Sequence, residues 1–409
     1  MMRWSLMSVR NVVASVAAVC VLAISQSGWS QTYHTNPLNL DPTVREGFQA
    51  FYNLDYDTAL QRFDKVQEAH QDDPMAVGYQ LLVTLYRELY RQDLLDTTYY
   101  AHDSFIFNKR ETNVSPAARQ RIEELTSKAV DLADRRLKAN PRDKDALFAR
   151  GYARGMHASF ATLVDHSFTK AAKEGLSSRS DSEDVLKIDP QYVDAKMAMG
   201  IQQFAVASLP RFVRIMVGVF GVGGNKEKGL DMLRDCAAHG TVTSVESRTA
   251  LSLFLRHDGR YAEALGVTQT LVTQYPHDYL FRLEEANLLK DGGTGMRAVE
   301  SYRTVIADAN KKGYFNEPRL HMAYYGMAEA ERGQNLVQNA ADHYLAAAST
   351  NGVSDWVKKR AELNAGQMLD LLGRRADAVR QYQLASAPVG DQTQADDARK
   401  YLKKPFTGK

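Results

Sequence analysis

Side chains able to do chemistry are present in this 409-residue chain, but their spacing assembles no familiar reaction centre. His157, His166, His239, His257, His277, His321 and His343 are scattered, and none pairs with another at metal-ligand spacing. There is no His-Glu-x-x-His, no Cys-x-x-Cys and no Gly-x-Ser-x-Gly. Glu284 and Glu285 are adjacent, so on a helix they point apart and cannot work as an acid/base dyad. Asp165 and His166 have the same defect. Gly221, Gly223 and Gly224 precede Asn225-Lys226, but no Gly-Lys-Ser/Thr follows and no strand leads in, so a phosphate loop is not formed. Cys236 shares an apolar helical face with Leu230, Leu233 and Ala237, where a thiol is a core residue rather than a nucleophile. The reading is no catalytic residue, no metal and no cofactor; a hydrolase with an unrecognised site is the alternative.

What does recur is a spacing that builds a scaffold. Ser252, Leu255, Gly259, Tyr261, Ala264, Leu271 and Pro276 form one copy. Shifted by 34 residues, Ala286, Leu289, Gly293, Ala298, Tyr302 and Val305 take the matching places. Gly366, Leu369, Gly373, Ala378, Tyr382 and Ala385 repeat the offsets 0, 3, 7, 12, 16 and 19. Gly326, Glu329 and Gly333 open another copy, completed less regularly by Ala341, Tyr344 and Ala348. Gly47, Ala50, Tyr56, Ala59 and Phe63 fit at the front, with Pro74 after them. The small residues at offsets 0 and 12 let paired helices approach. Glycine at offset 7 allows the turn between them. The aromatic at offset 16 fills the groove between pairs, and proline ends one pair and opens the next.

These residues at this period resemble the tetratricopeptide repeat. The resemblance implies an all-α, right-handed solenoid of about six to eight antiparallel helix pairs. It is most regular over 241–409. In the region 31–240 the junctions survive at Pro141 to Gly151 and Pro190 to Gly200, but Gly151 and Gly200 lie 49 residues apart, so longer helices or inserted turns are expected. Asp96 to Pro116 carries no clean repeat and reads as an aromatic-rich loop. An apolar insert at 204–224 forms an amphipathic pattern, with Leu209, Phe212, Val213, Met216 and Phe220 opposite Arg211 and Arg214. It reads as a helix tucked into the solenoid, or as a membrane-surface or hydrophobic-ligand element. The run Ser208 to Gly240 is similar to a segment of the tetratricopeptide-repeat-39 family, which includes a yeast mitochondrial outer-membrane relative linked to inclusion-body clearance. That similarity implies the architecture and a proximity to lipid.

In tetratricopeptide domains the first helices line the concave face, with offsets −6, −3, +1 and +4 pointing inward. The resemblance therefore assigns partner contacts to Glu246, Thr249, Leu253 and Arg256; to Leu280, Leu283, Asn287 and Lys290; and to Arg360, Leu363, Gln367 and Asp370. The set mixes aliphatic, amide and oppositely charged side chains, which suits an extended peptide. Arg256, Lys290 and Arg360 are the cationic anchors for carboxylates.

Composition bounds the rest. Hydrophobic residues make up 44% and charged residues 24%, so the chain folds. Lys+Arg 51 against Asp+Glu 49 leaves no concentrated basic footprint, and the partner expected is a protein or peptide, not a nucleic acid, with membrane-surface contact possible through the insert. Residues 1–30 read as a secretory signal: Arg3 and Arg10, then a short apolar core, then small residues with cleavage placing the mature start between Gly28 and Gln31. An uncleaved anchor is the alternative, and Val19 before Cys20 argues against a lipobox. The expected location is exported: periplasmic or outer-membrane associated if the source is a Gram-negative bacterium. With Cys20 in the signal, Cys236 stands alone and no intramolecular disulfide can form.

Overall fold

The computed structural model describes residues 34–99, 112–209, 214 and 223–408. The expected export signal, most of the aromatic-rich stretch Asp96 to Pro116 and most of the 204–224 insert lie outside them. The described residues form seventeen α-helices and no strand.

Helices α1 (Pro42–Phe51) and α2 (Tyr56–Ala69) form the first pair, and α3 (Pro74–Arg91) and α4 (Pro116–Ala139) the second. They are followed by α5 (Lys144–Leu163), α6 (Phe168–Ile188), α7 (Lys196–Ser208) and α8 (Lys226–His239). The regular part holds α9 (Ser244–His257), α10 (Tyr261–Gln274), α11 (Tyr279–Asp291), α12 (Gly295–Ala309), α13 (Leu320–Gly333), α14 (Val337–Ser349), α15 (Asp355–Leu371) and α16 (Arg375–Ala385), closed by α17 (Ala395–Lys403). Each helix packs on the next, giving eight pairs and a terminal helix in a right-handed, tetratricopeptide-like solenoid. The excess length of the middle repeats is helix: α4, α5 and α6 run 24, 20 and 21 residues, against 13 to 15 in α9 to α14.

The turns follow from the sequence. Asp41, Asp55, Asp73, Asp143 and Asp278 each cap a helix by accepting from its first backbone N–H groups. Gly259, Gly293 and Gly373 adopt φ of +73°, +74° and +74°, the left-handed turn that offset 7 requires. At the same offset from Gly47 the chain uses Leu54, at φ +59°.

Packing revises the role of offset 0. A Cβ on Gly47 would lie 2.5 Å from the Phe63 ring, and one on Gly366 2.5 Å from the Tyr382 ring. The small residue thus seats the aromatic of its own pair, sixteen residues on. The irregular fourth copy resolves in the same way. Its offset 0 is Ala328, not Gly326: Asn335 takes the left-handed turn at φ +59°, Ala340 is the small residue of the second helix and Tyr344 the buried aromatic. Gly326 instead lies beneath Tyr302 of the preceding pair, whose ring a Cβ would meet at 2.6 Å.

The solenoid closes on itself. Fifteen of the eighteen residues of α3 are buried, and one apolar cluster runs from Leu38 to Val357, across the change of repeat length near residue 240. Tyr52 packs on Tyr275 with ring centroids 5.1 Å apart, the Tyr90 hydroxyl donates to the Glu317 carbonyl (2.9 Å), and Asn316 Nδ2 donates to the Asn53 carbonyl (2.8 Å). Most helix packing is between chain neighbours, and these contacts from Tyr52, Asn53 and Tyr90 add a link to the segments leading into α11 and α13. No helix of the described residues is long and apolar enough to cross a membrane.

Candidate partner-binding face

Helices α9, α11, α13 and α15 carry the positions that the resemblance assigns to an inner face, and the tyrosines of the last three pairs fix some of their polar side chains. Tyr302 donates to Asn287 Oδ1 (2.6 Å) and Tyr382 to Asp370 Oδ2 (2.9 Å), while Tyr344 donates to Glu329. Burial drives this arrangement, because a tyrosine hydroxyl in the core needs a partner.

The first half of the face is filled by the chain's own connection after α3. Arg256 is fully buried: Nε donates to Asp291 (2.8 Å), Nη1 to Glu284 (3.0 Å) and to Thr97 (2.5 Å), and Nη2 to Thr98 (3.1 Å). Asn287, 2% exposed, donates to Asp96 (3.2 Å). Leu283 is buried, and with Leu280 and Met322 it lines a small cleft against Tyr90, Asp93 and Asp96. Lys290 is half-buried, its ammonium 3.5 Å from Asp291. Arg256 and Asn287 are therefore internal fastenings in this structure and not open to a partner, because hydroxyl and carboxyl groups from residues 96–98 reach them first.

Glu246 lies deeper. Neither carboxyl oxygen makes a hydrogen bond of ordinary geometry, although the Tyr52 hydroxyl is near enough to favour the ionised form. Burial pushes this carboxyl up to about 7, with Asp194 adding repulsion. The Asp278 carboxyl is also pushed up to about 7 by burial, against its capping bonds to Leu280 and Phe281. Thr249 donates to its own helix (3.0 Å to the Val245 carbonyl), and Leu253 is half-buried.

The second half of the face is more open. Arg360 stays exposed and makes no ion pair with any described residue. Tyr325 and Glu329 lie beside it. Glu329 accepts from Tyr344 and from Asn364 Nδ2 (3.3 Å), and Asn364 also donates to the Tyr325 hydroxyl (2.9 Å). Leu363 is buried. Gln367 is 8% exposed with Oε1 buried and unpartnered. Asp370 is spent on structure, accepting from Arg375 (3.1 Å), Tyr382 and the Phe406 backbone (2.8 Å). The repeat spacing missed Tyr325, Glu329 and Arg332. Counted from Ala328 they occupy offsets −3, +1 and +4, so the correct register of the fourth copy would have found them.

Elsewhere, Cys236 is buried with its thiol pushed up to about 12, as a core position implies. Among the described residues no cluster of three or more His, Cys, Asp or Glu side chains could hold a metal ion.

No protein-family model and no curated protein matches the sequence. Among solved structures, the chain is similar to a tetratricopeptide repeat protein from Parabacteroides merdae at 13% identity, over 80% of this chain and 98% of that one, with a TM-score of 0.35. It is similar to yeast Tom70 at 12% identity, over 89% and 88%, with a TM-score of 0.36. It is also similar to the human IFIT1 dimer with m7Gppp-AAAA at 10% identity, over 91% and 83%, with a TM-score of 0.43. At these identities and scores nothing about binding passes from those proteins to this chain.

Proposed function

We propose that this chain is an interaction scaffold that holds an extended polypeptide segment along the inner face of α13 and α15. The observation that carries this reading is Arg360, an exposed guanidinium that forms no ion pair with any described residue, near Tyr325 and Glu329. Glu329 attracts it without forming an ion pair, its hydrogen bonds going to Tyr344 and Asn364. A planar guanidinium takes a carboxylate in two parallel hydrogen bonds. Such a charge suits a peptide with an acidic side chain or a free C-terminus. No reaction is assigned to the face.

The test is a display library of short peptides selected on the intact protein. Peptides that bind should carry a carboxylate, and Arg360→Ala should weaken them about tenfold or more, the scale of one charge-assisted pair, with the melting temperature unchanged. Equal affinity in a folded Arg360→Ala protein overturns the assignment. An RNA oligonucleotide that binds through Arg360 where no peptide does replaces the polypeptide by nucleic acid. We also propose, from the pattern of residues 1–30, that the scaffold acts after export; recovery of the protein with Met1 intact and membrane-embedded would overturn this.

A further inference from the structure

The connection leaving α3 enters the inner face in the way a peptide ligand would. Asp93, at φ +57°, turns the chain out of the helix. Its carboxylate accepts from Arg319 Nη2 (3.0 Å) and pairs with His321 Nε2 (2.8 Å). Leu94 is 2% exposed, and Leu95 lines the cleft. Asp96 accepts from Asn287, Thr97 and Thr98 accept from Arg256, and Thr97 also donates to Glu284. Four polar side chains of six consecutive residues are thus read by helix side chains far away in sequence. Two of those readers, Arg256 and Asn287, hold the inner-face positions that the repeat spacing assigns to a partner.

We propose that Asp93–Thr98 is a built-in pseudo-ligand that occupies the α9–α11 part of the face, and that a partner segment of the same chemistry displaces it. This rests on the reading that the inner face binds polypeptide. The ligand is a short turn-forming segment with a carboxylate for Arg319 and His321, two aliphatic residues, and hydroxyl side chains for Arg256.

Two observations favour exchange over a permanent core contact. The segment is turn and 3-10 backbone outside the α-helices, and the 24 residues between Arg91 and Pro116 give it the length to leave while α3 and α4 stay packed. The site is also imperfectly satisfied: Glu284 Oε1 is buried without a partner, and Asp96, Glu284 and Asp291 crowd around Arg256 and Lys290, three carboxylates against two cations. A covalently linked competitor acts at an effective concentration on the order of millimolar, so only a segment that makes these contacts better, or one presented at high local concentration, displaces it.

The probe is a labelled synthetic peptide with the sequence of residues 92–99, added to the full chain. Wild type should bind it weakly. Thr97→Val with Thr98→Val removes the hydroxyl acceptors for Arg256 with little change of volume, and this variant should bind the peptide about tenfold or more tightly than wild type. Adding Arg256→Ala should abolish the gain. A second opened variant, Asp96→Asn with Thr97→Ala and Thr98→Ala, repeats the comparison. If the opened variants keep the wild-type helical signal yet bind no better, the pseudo-ligand is overturned. If both lose the whole fold, the segment is core and the proposal is equally overturned. Arg360→Ala should leave this binding untouched. Failure here with Arg360-dependent peptides still binding leaves the scaffold reading standing, and the reverse result removes only the α13–α15 site.

Discussion

Replacing Glu246 by glutamine should stabilise the protein at alkaline pH and do almost nothing at acid pH. The carboxyl is enclosed where Tyr52, Tyr152 and Tyr275 meet α9, with Asp194 and Arg248 the other charges that act on it. Its folded pKa is about 7 against an ordinary 4.5. The folded state therefore holds the proton more tightly than the unfolded chain does. Below about pH 4.5 both states are protonated and no penalty exists. Between 4.5 and 7 the unfolded chain ionises first, so stability falls as pH rises, and above 7 the loss levels off. At about 1.4 kcal/mol per pH unit the full penalty is about 3 kcal/mol. Glutamine cannot ionise, so urea unfolding at pH 8 should show the variant more stable by up to that amount, and the two proteins should converge near pH 4. Asp278, also held near 7, adds a second contribution of the same sign, and Glu246→Gln should remove only its own share. A variant that is destabilised at pH 8, or whose offset from wild type is the same at pH 4 and pH 8, would refute the reasoning, because it would mean that the carboxylate is ionised and favourably paired.

Three further outcomes follow from the packing. Gly366→Ala should cost about 1–3 kcal/mol in denaturant titration, because its Cβ would meet the Tyr382 ring at 2.5 Å in a filled core, whereas Gly175→Ala, which meets nothing within 4 Å, should be neutral or stabilising. A fragment ending at residue 315 should lose cooperative thermal unfolding by circular dichroism, since Asp93 loses Arg319 and His321 and Tyr90 loses Glu317; a sharp transition with full helix content would show that the closure is dispensable. The Cys236 thiol should react with a disulfide reagent at pH 8 only after denaturant is added, and prompt reaction in native buffer would contradict its burial.

The helical pairs were legible because their signals are local. Offsets 7, 12 and 16 are set by one turn and one crossing, and Gly259, Ala264, Gly373, Ala378 and Tyr382 behave as the spacing requires. Gly326 misled because a glycine at a helix crossing looks the same whichever pair it serves; only the positions of Asn335 and Tyr344 identify Ala328 as the equivalent residue. The candidate face was half legible. Arg360 stands exposed on α15, while Arg256, at an inward position of α9, is enclosed.

That difference has a physical origin which periodicity cannot contain. An inner-face arginine is recruited inward when a complementary segment of hydroxyl and carboxyl groups lies within reach, and it stays free when none does. For Arg256 that segment is residues 96–98, brought there by the turn at Asp93 that ends the buried helix α3. Periodicity does not show this in α3 either: Gln80, Thr84, Arg87, Glu88 and Arg91 form one polar stripe, the pattern of an amphipathic helix. Fifteen of its eighteen residues are nonetheless buried, Gln80, Thr84 and Glu88 among them, because the solenoid closes over it. Closure in turn carries the chain that follows the helix onto the concave side, where it competes for the polar residues a partner would otherwise use.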